Sequence, residues 1–191
     1  MNKKIVINSK EDYNNFLKKI KYYKYYLFTN FDIDNNIELE ELDIITKALN
    51  IKGRRKRISY VYDEAVKYIN KYYSKDLCDF KDNQCFVQRE SKSKNLYGCC
   101  HRCKYVKKDK GCPSSNISCK LIYCKPALKN LKKLKMKDIN ILKCLSAIQR
   151  FMLSFDFYST REQVINDLYF GLPLWVLRCT AKGLRLTFYF K

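Results

Sequence analysis

The stretch from Leu77 to Cys124 reads LCDFKDNQCFVQRESKSKNLYGCCHRCKYVKKDKGCPSSNISCKLIYC and holds eight of the ten cysteines of the chain. These eight are Cys78, Cys85, Cys99, Cys100, Cys103, Cys112, Cys119 and Cys124. Neither the alternation of a strand nor the spacing of an amphipathic helix persists through the stretch, and turn-forming residues separate the cysteines. Because so little regular apolar pattern is present, the stretch predicts an irregular insert that its thiols hold together.

The compartment decides whether such thiols bind metal or form disulfide bonds. Residues 1–4 precede only three apolar residues before Asn8, so we expect no secretory signal peptide. No run of eighteen apolar residues occurs, and the most apolar segment, residues 170–190, is interrupted by three basic residues. We therefore expect a cytoplasmic protein without a membrane partner. In a reducing cytoplasm the clustered thiols are free to bind metal.

The spacing within Cys100-His101-Arg102-Cys103 is typical of a zinc knuckle, in which the backbone turns both sulfurs onto one ion. Tetrahedral zinc takes four ligands, so eight clustered thiols could supply two sites. An iron–sulfur cluster also takes four thiolates and is the alternative cofactor; a third reading leaves the thiols unliganded. His101 is the single histidine and a candidate ligand, although a solvent-facing side chain in a tight turn is an equal reading.

The composition excludes several classes of enzyme. With one histidine, a Ser-His-Asp triad could be built only around His101, and with five glycines no phosphate-binding loop or dinucleotide fingerprint can be written. Cys144 and Cys179 lie outside the cluster on apolar stretches and fit a hydrophobic core better than a metal site. We expect a protein that is not an enzyme, unless an iron–sulfur cluster supports redox chemistry.

The positive charge is unevenly distributed. The formal net charge is +20, yet the first 50 residues hold eight lysines and eight acidic residues, so all the excess lies beyond Asn50. Such a field attracts nucleic acid through the release of counterions, although a chain rich in Lys, Asn, Ile and Tyr is also typical of an AT-rich genome. The candidate nucleic-acid ligands are Arg54, Arg55, Lys56 and Arg57, expected between two helices, and Lys132 and Lys133 in a second tract. The second tract also fits the solvated face of an amphipathic helix that begins at Pro126.

Hydrophobic spacing outside the cysteine stretch predicts mainly helices. Residues 9–12 have the pattern of a capped helix start, and apolar residues at helical spacing follow. We expect helices near residues 10–26, from about 39 to Gly53, near 60–73, near 138–158, and from the Ser159 capping box to Gly171. Alternating residues in 174–179 and 184–190 flank Ala181-Lys182-Gly183 and predict a β-hairpin. A winged helix has roughly this order of elements, helices followed by a hairpin. The order is a partial argument for DNA binding.

The expected fold is therefore mainly α, with some α+β character: a helical region over residues 1–75, the cysteine-rich metal-binding segment over 76–125, and helices plus a small C-terminal hairpin over 126–191. Three motifs carry a resemblance: residues 77–85, Gly98-Cys99-Cys100, and Ser118-Cys119-Lys120-Leu121 with Cys124. Over about residues 60–165 the chain resembles a family of cysteine-rich cytosolic proteins from low-GC Gram-positive bacteria for which no activity is established. The resemblance implies that the cysteines act as a set, and it adds no catalytic residue.

The function that the sequence predicts is that of a cysteine-ligated metal-binding protein, with structural zinc, whose basic surface contacts nucleic acid. An iron–sulfur redox protein or enzyme is one alternative. An accessory interaction protein of phage or plasmid origin is another, and its protein partner would be unknown.

Overall fold

A computed structural model of the chain describes residues 2–23, 29–73, 77, 79, 81, 89–90, 116–122, 128, 131–157 and 159–189, with side chains as far as Ala181. The architecture is mainly helical, with a small two-stranded parallel sheet. This confirms the mainly α class. The cysteine-rich segment lies almost entirely outside the described residues, so its predicted irregular form stays a prediction.

The sheet and the first helix are built from the N-terminal residues. Strand β1 (Asn2–Ile7) pairs in parallel with β2 (Asn30–Asn35), with Asn2 opposite Asn30 and Ile7 opposite Asn35. Parallel strands need a crossover, and helix α1 (Lys10–Tyr23) lies between them in sequence. The Ser9 hydroxyl accepts a hydrogen bond of 3.1 Å from the Asp12 amide, which confirms the predicted cap.

Strand β2 was not predicted, because the residues from Asn30 to Asn36 are mostly polar and resemble a turn. The segment NFDIDN alternates apolar and polar residues, and Phe31 is buried against the core. The strand forms because β1 supplies its backbone partners, and a pairing between residues 28 positions apart leaves only this weak alternation in the sequence.

Helices α2 (Glu40–Asn50) and α3 (Arg54–Tyr72) follow the sheet. Val61, Tyr62 and Ala65 of α3 are fully buried in one hydrophobic cluster whose members run from Ile7 to Leu168. The remaining elements are α4 (Ile117–Lys120), the 3-10 turns Met136–Asp138 and Asn140–Cys144, α5 (Ala147–Phe155), α6 (Arg161–Phe170) and α7 (Leu172–Tyr189). Helix α3 therefore crosses the interior, and α2, α4, α6 and the turn Asn140–Cys144 pack against it.

The single long helix expected near residues 138–158 is wrong. Two 3-10 turns occupy its first half, and α5 begins only after Ser146. The Ser146 hydroxyl accepts from the Gln149 amide at 3.1 Å, and the Gln149 side-chain oxygen accepts from the Ser146 amide at 2.8 Å. This reciprocal capping box fixes the start of α5, since both groups would otherwise lack intrahelical partners.

The predicted C-terminal hairpin is also wrong, because helix α7 covers Leu172–Tyr189. Trp175, Arg178 and Cys179 have the i, i+3, i+4 spacing of one helical face, and all three are partly buried, whereas Leu177 is 68% exposed. The predicted stop at Gly171 is confirmed, since this residue ends α6 with φ 96°. Without a hairpin, the partial argument for a winged helix fails.

An ionic cluster docks α7 onto the body. Arg178 donates from Nε to Asp167 at 2.9 Å and from Nη2 to Asp156 at 2.8 Å, and both carboxylates are only 1% exposed. Its Nη1 donates to the Ser159 hydroxyl at 2.8 Å. One guanidinium thus neutralises two buried acids on different elements. Burying these charges costs desolvation free energy, which the pairing with Arg178 offsets. Removing the guanidinium would leave two buried carboxylates without a counter-charge.

We expect Arg178→Met to destabilise the protein by about 3–5 kcal/mol, because Asp156 and Asp167 would stay buried without a counter-charge. Urea unfolding followed by circular dichroism measures the change. Leu177→Ala, at the neighbouring exposed position, is the matched control and should shift stability by no more than about 0.5 kcal/mol. Equal unfolding midpoints for the two variants would contradict the assignment.

In the part of the chain that the structure describes, no helix has both the length and the apolar character needed to cross a bilayer.

Candidate nucleic-acid interface

The tract Arg54 to Arg57 forms the first turn of α3, which begins six residues earlier than predicted. The sequence placed this tract between helices, and that placement is wrong. Gly53 is the N-cap residue of α3 and does not end the preceding helix, which closes at Asn50. Arg and Lys are good helix formers, so the helix extends backwards through the tract although no apolar spacing marks it.

The charge of this first turn opposes the helix macrodipole. Four consecutive basic residues occupy the end of α3 where the dipole is positive, and no acidic residue lies in that turn. The N-cap residue Gly53 has no side chain that could accept a hydrogen bond from the N-terminal amides. Each exposed like charge in such a place costs roughly 0.3–1 kcal/mol at low salt. The arrangement favours an anion, which would offset the positive charge and accept hydrogen bonds from the N-terminal amides.

An aromatic ring from α6 lies under the tract. The guanidinium carbons of Arg54 and Arg55 lie 5.6 Å and 5.9 Å from the ring centroid of Tyr169. Cation–π contacts of this kind hold a guanidinium in place while its outer face and N–H groups stay open to solvent. Arg54, Arg55 and Lys56 are all exposed. The basic aromatic surface, defined here as Arg54, Arg55, Lys56, Tyr169 and the adjacent Phe170, joins two elements more than 100 residues apart.

Two ion pairs position α6 beside α3. Arg161 donates to both carboxylate oxygens of Asp63 at 2.6 Å and to the Ser59 hydroxyl at 2.5 Å. The hydrogen bond to Asp63 raises the pKa of Arg161 above its ordinary value. Glu162 also contacts Arg161 and lies 3.7 Å from Arg55. Glu162 is therefore an exposed acid at the edge of the basic aromatic surface, where it competes with any external anion.

Arg57, the last residue of the tract, is partly buried, unlike the three residues before it. Burial lowers the pKa of its guanidinium, the buried Cys144 counteracts this, and Arg54 adds to the lowering. Arg57 thus faces the body of the protein more than the solvent. Cys144 is 4% exposed in the core, which confirms the reading of this cysteine as a core residue.

The second predicted tract lies at the other end of α3. Lys132 and Lys133 are exposed in a segment without regular structure, so the helical face expected here is wrong for these two residues. The Tyr72 hydroxyl donates to the Lys132 carbonyl at 2.9 Å, and the Leu134 amide donates to the Tyr73 hydroxyl at 2.6 Å. From Arg55 to Tyr72 the helix rises about 25 Å. The two tracts therefore do not form one continuous site.

The predicted metal ligands can be placed only at Cys119. Cys78, Cys85, Cys99, Cys100, His101, Cys103, Cys112 and Cys124 lie outside the described residues. Among the residues that are described, no three His, Cys, Asp or Glu side chains come together as a metal site. Since most of the predicted set is not described, metal binding stays a prediction.

Cys119 is partly buried on α4, which the body holds firmly. Its amide donates to the Asn116 side chain at 3.0 Å, and Asn116 in turn donates to the Asp156 carbonyl at 2.7 Å. The Ser118 hydroxyl donates to the Leu153 carbonyl of α5. These bonds satisfy buried polar groups and fix the backbone of Cys119 relative to α5.

Comparisons of the chain with protein-family models, with curated proteins and with solved structures found no match. The resemblance to a cysteine-rich bacterial family therefore stays an expectation from the sequence.

The sequence reasoning missed Tyr169, Phe170 and Arg161. Tyr169 and Phe170 end α6, and no local signal in the sequence pairs them with Arg54. Only the packing of α6 on α3 brings these groups together. Adjacent aromatic residues next to a helix stop at Gly171 were the one available hint that a ring would be left at the surface.

We expect Arg161→Met to lower the free energy of unfolding by about 1 kcal/mol, because Asp63 and Ser59 lose hydrogen bonds from a partly exposed guanidinium. Urea denaturation provides the measurement. Lys67→Met removes an i, i+3 surface pair with Glu64 and should change stability by less than about 0.5 kcal/mol. If both variants were equally stable, Arg161 would not brace α6 against α3.

Proposed function

We propose that this protein binds nucleic acid through the basic aromatic surface. The observation that carries the proposal is the pair of guanidinium groups of Arg54 and Arg55 held over the Tyr169 ring at the uncapped N-terminus of α3. Guanidinium groups and helix N-termini are both phosphate ligands, and the excess of positive charge beyond Asn50 adds long-range attraction. The proposal places the protein in the cytoplasm, with nucleic acid and not a membrane as its partner.

Electrostatics favours a polyanion over a small acidic ligand at this surface. Among the residues that the structure describes, Arg55 pairs with Glu162, and Arg161 pairs with Asp63 and Glu162. Asp63 is held by Arg161, so the exposed cations are opposed mainly by Glu162. A chain of phosphates can contact several exposed cations at once and releases a counterion for each one.

We also propose that the clustered cysteines hold structural zinc, with an iron–sulfur cluster as the alternative cofactor. The support is the number and spacing of the thiols, together with the fixed position of Cys119 on α4. Zinc bound by thiolates would supply folding free energy to a stretch that has little apolar pattern of its own. The role is structural, and the proposal assigns no catalytic residue.

We expect the double substitution Arg54→Gln and Arg55→Gln to weaken nucleic-acid binding at least tenfold at low salt. It should also reduce the slope of log K against log salt concentration by roughly 1.5 to 2, because two phosphate contacts are lost. Fluorescence anisotropy with a labelled oligonucleotide over a series of salt concentrations measures both quantities.

The matched control removes two positive charges elsewhere. Lys10 and Lys19 are exposed on α1, so the double substitution Lys10→Gln and Lys19→Gln should leave the salt slope nearly unchanged. Glu162→Gln acts in the opposite direction and should tighten binding, because it removes the acid beside Arg55. The proposal fails if the unsubstituted protein does not bind nucleic acid at low salt, or if the two double variants behave alike.

We expect Cys103→Ser to lower the metal bound per chain, because the Cys-x-x-Cys knuckle loses one sulfur. Elemental analysis of anaerobically purified protein gives the metal and its stoichiometry, and colour separates the cofactors, since iron–sulfur protein is brown whereas zinc protein is colourless. Cys144→Ser is the control: this buried core residue should affect stability and leave the metal content unchanged. Neither zinc nor iron in freshly purified protein would rule out the proposed site.

A further inference from the structure

We infer that the basic aromatic surface binds an unpaired nucleotide, so the protein prefers single-stranded RNA or DNA to a duplex. This inference rests on the proposed function, since it names the form of nucleic acid that the same surface takes. It depends on Phe170, whose ring lies beside Tyr169 on the same surface, a position that was not apparent from the sequence.

Phe170 presents an exposed ring beside Tyr169, the ring over which the two guanidinium groups lie. It is the last residue of α6 and is 62% exposed. Its ring centroid lies 5.1 Å from that of Tyr169, with an interplanar angle of 76°. The edge-to-face contact leaves Phe170 with ring surface that Tyr169 does not cover. Removing an exposed aromatic ring from water is favourable, and a nucleobase can cover such a ring by stacking on it.

The ring and the cations lie within a short span. The Arg55 guanidinium carbon lies 5.9 Å from the centroid of the Tyr169 ring, and the Phe170 centroid lies 5.1 Å from the same point. The guanidinium carbon and the Phe170 ring can therefore be no further apart than these two distances together. One or two nucleotides of an extended strand cover such a span. A strand could therefore place a phosphate on Arg54 or Arg55 and a base face on Phe170 at the same time.

A duplex cannot use this ring at low cost. Its base faces are stacked on one another, so only base edges and phosphates are accessible, and inserting a wedge costs a few kcal/mol per unstacked step. Stacking of one base on an aromatic side chain stabilises the complex by about 1–3 kcal/mol, which does not exceed the cost of unstacking the duplex. An unpaired base gains the same stacking without the unstacking cost, so single strands are favoured.

The experiment compares one oligonucleotide as a single strand and as a duplex, in RNA and in DNA form, by fluorescence anisotropy at one salt concentration. The full-length protein should bind the single strands at least several-fold more tightly than the duplexes. Phe170→Ala should weaken single-strand binding roughly tenfold and duplex binding much less, and it should keep the salt slope, because no phosphate contact is lost.

Phe155→Ala is the matched control. Phe155 is 55% exposed on α5, where its ring contacts Phe151 and not Tyr169, so its removal should not affect binding. Circular dichroism verifies that each variant is folded. A second measurement needs no variant: 2-aminopurine in the single strand should change its fluorescence on binding to unsubstituted protein, since its ring becomes stacked.

Equal affinity for single strands and duplexes would overturn the inference and leave the proposed function standing. The same holds if Phe155→Ala weakens single-strand binding as much as Phe170→Ala, or if 2-aminopurine fluorescence does not respond at any position. Absence of binding to all four probes at low salt would overturn the proposed function together with the inference.

Discussion

The buried side of α3 is the constraint on which the rest of the described structure depends. Val61, Tyr62, Ala65 and Ile69 are inaccessible to solvent, so the helix cannot shift or rotate without opening the core. Its length then separates the two basic tracts by about 25 Å. The first turn lies beside α6, and the last turn holds the segment around Leu134. Two patches that look equivalent as runs of charge are thus different surfaces. At the first, two guanidinium groups lie over the Tyr169 ring, whereas at the second, Tyr72 contacts the backbone of Lys132.

The first turn of α3 shows how a core can support an electrostatically unfavourable feature. Four basic residues at a positive helix end would fray an isolated helix, because each opposes the macrodipole. Burial of Ile58 and Val61 in the following turn holds the helix regardless, and Tyr169 keeps two guanidinium groups in place. The unfavourable charge therefore stays concentrated at the surface, where it is available to an external anion. A capping acid in that turn would have stabilised the helix and weakened the surface as a phosphate site.

Local signals in the sequence predicted what depends on local interactions. The Ser9 cap, the stop at Gly171 and the buried faces of α1, α2 and α3 follow from capping chemistry and hydrophobic spacing. The errors depend on distant partners. Strand β2 requires β1, and α7 replaces the expected hairpin because Arg178 reaches Asp156 and Asp167. The same limit applies to the candidate site: the basic tract is visible as a sequence, but its aromatic partner is supplied by packing.

The turn that contains Asp156 contacts both the C-terminal helix α7 and the start of α4, the helix that carries Cys119. Its side chain pairs with Arg178 of α7, and its carbonyl accepts from Asn116, the residue that caps α4 and Cys119. If the cysteines bind metal as proposed, one ligand is held in place by the body before the ion arrives. A preordered ligand lowers the conformational entropy that metal binding must overcome, so the folded body and the metal would stabilise each other. Such coupling would let a cysteine-rich stretch with little apolar pattern in its sequence fold as part of a helical protein.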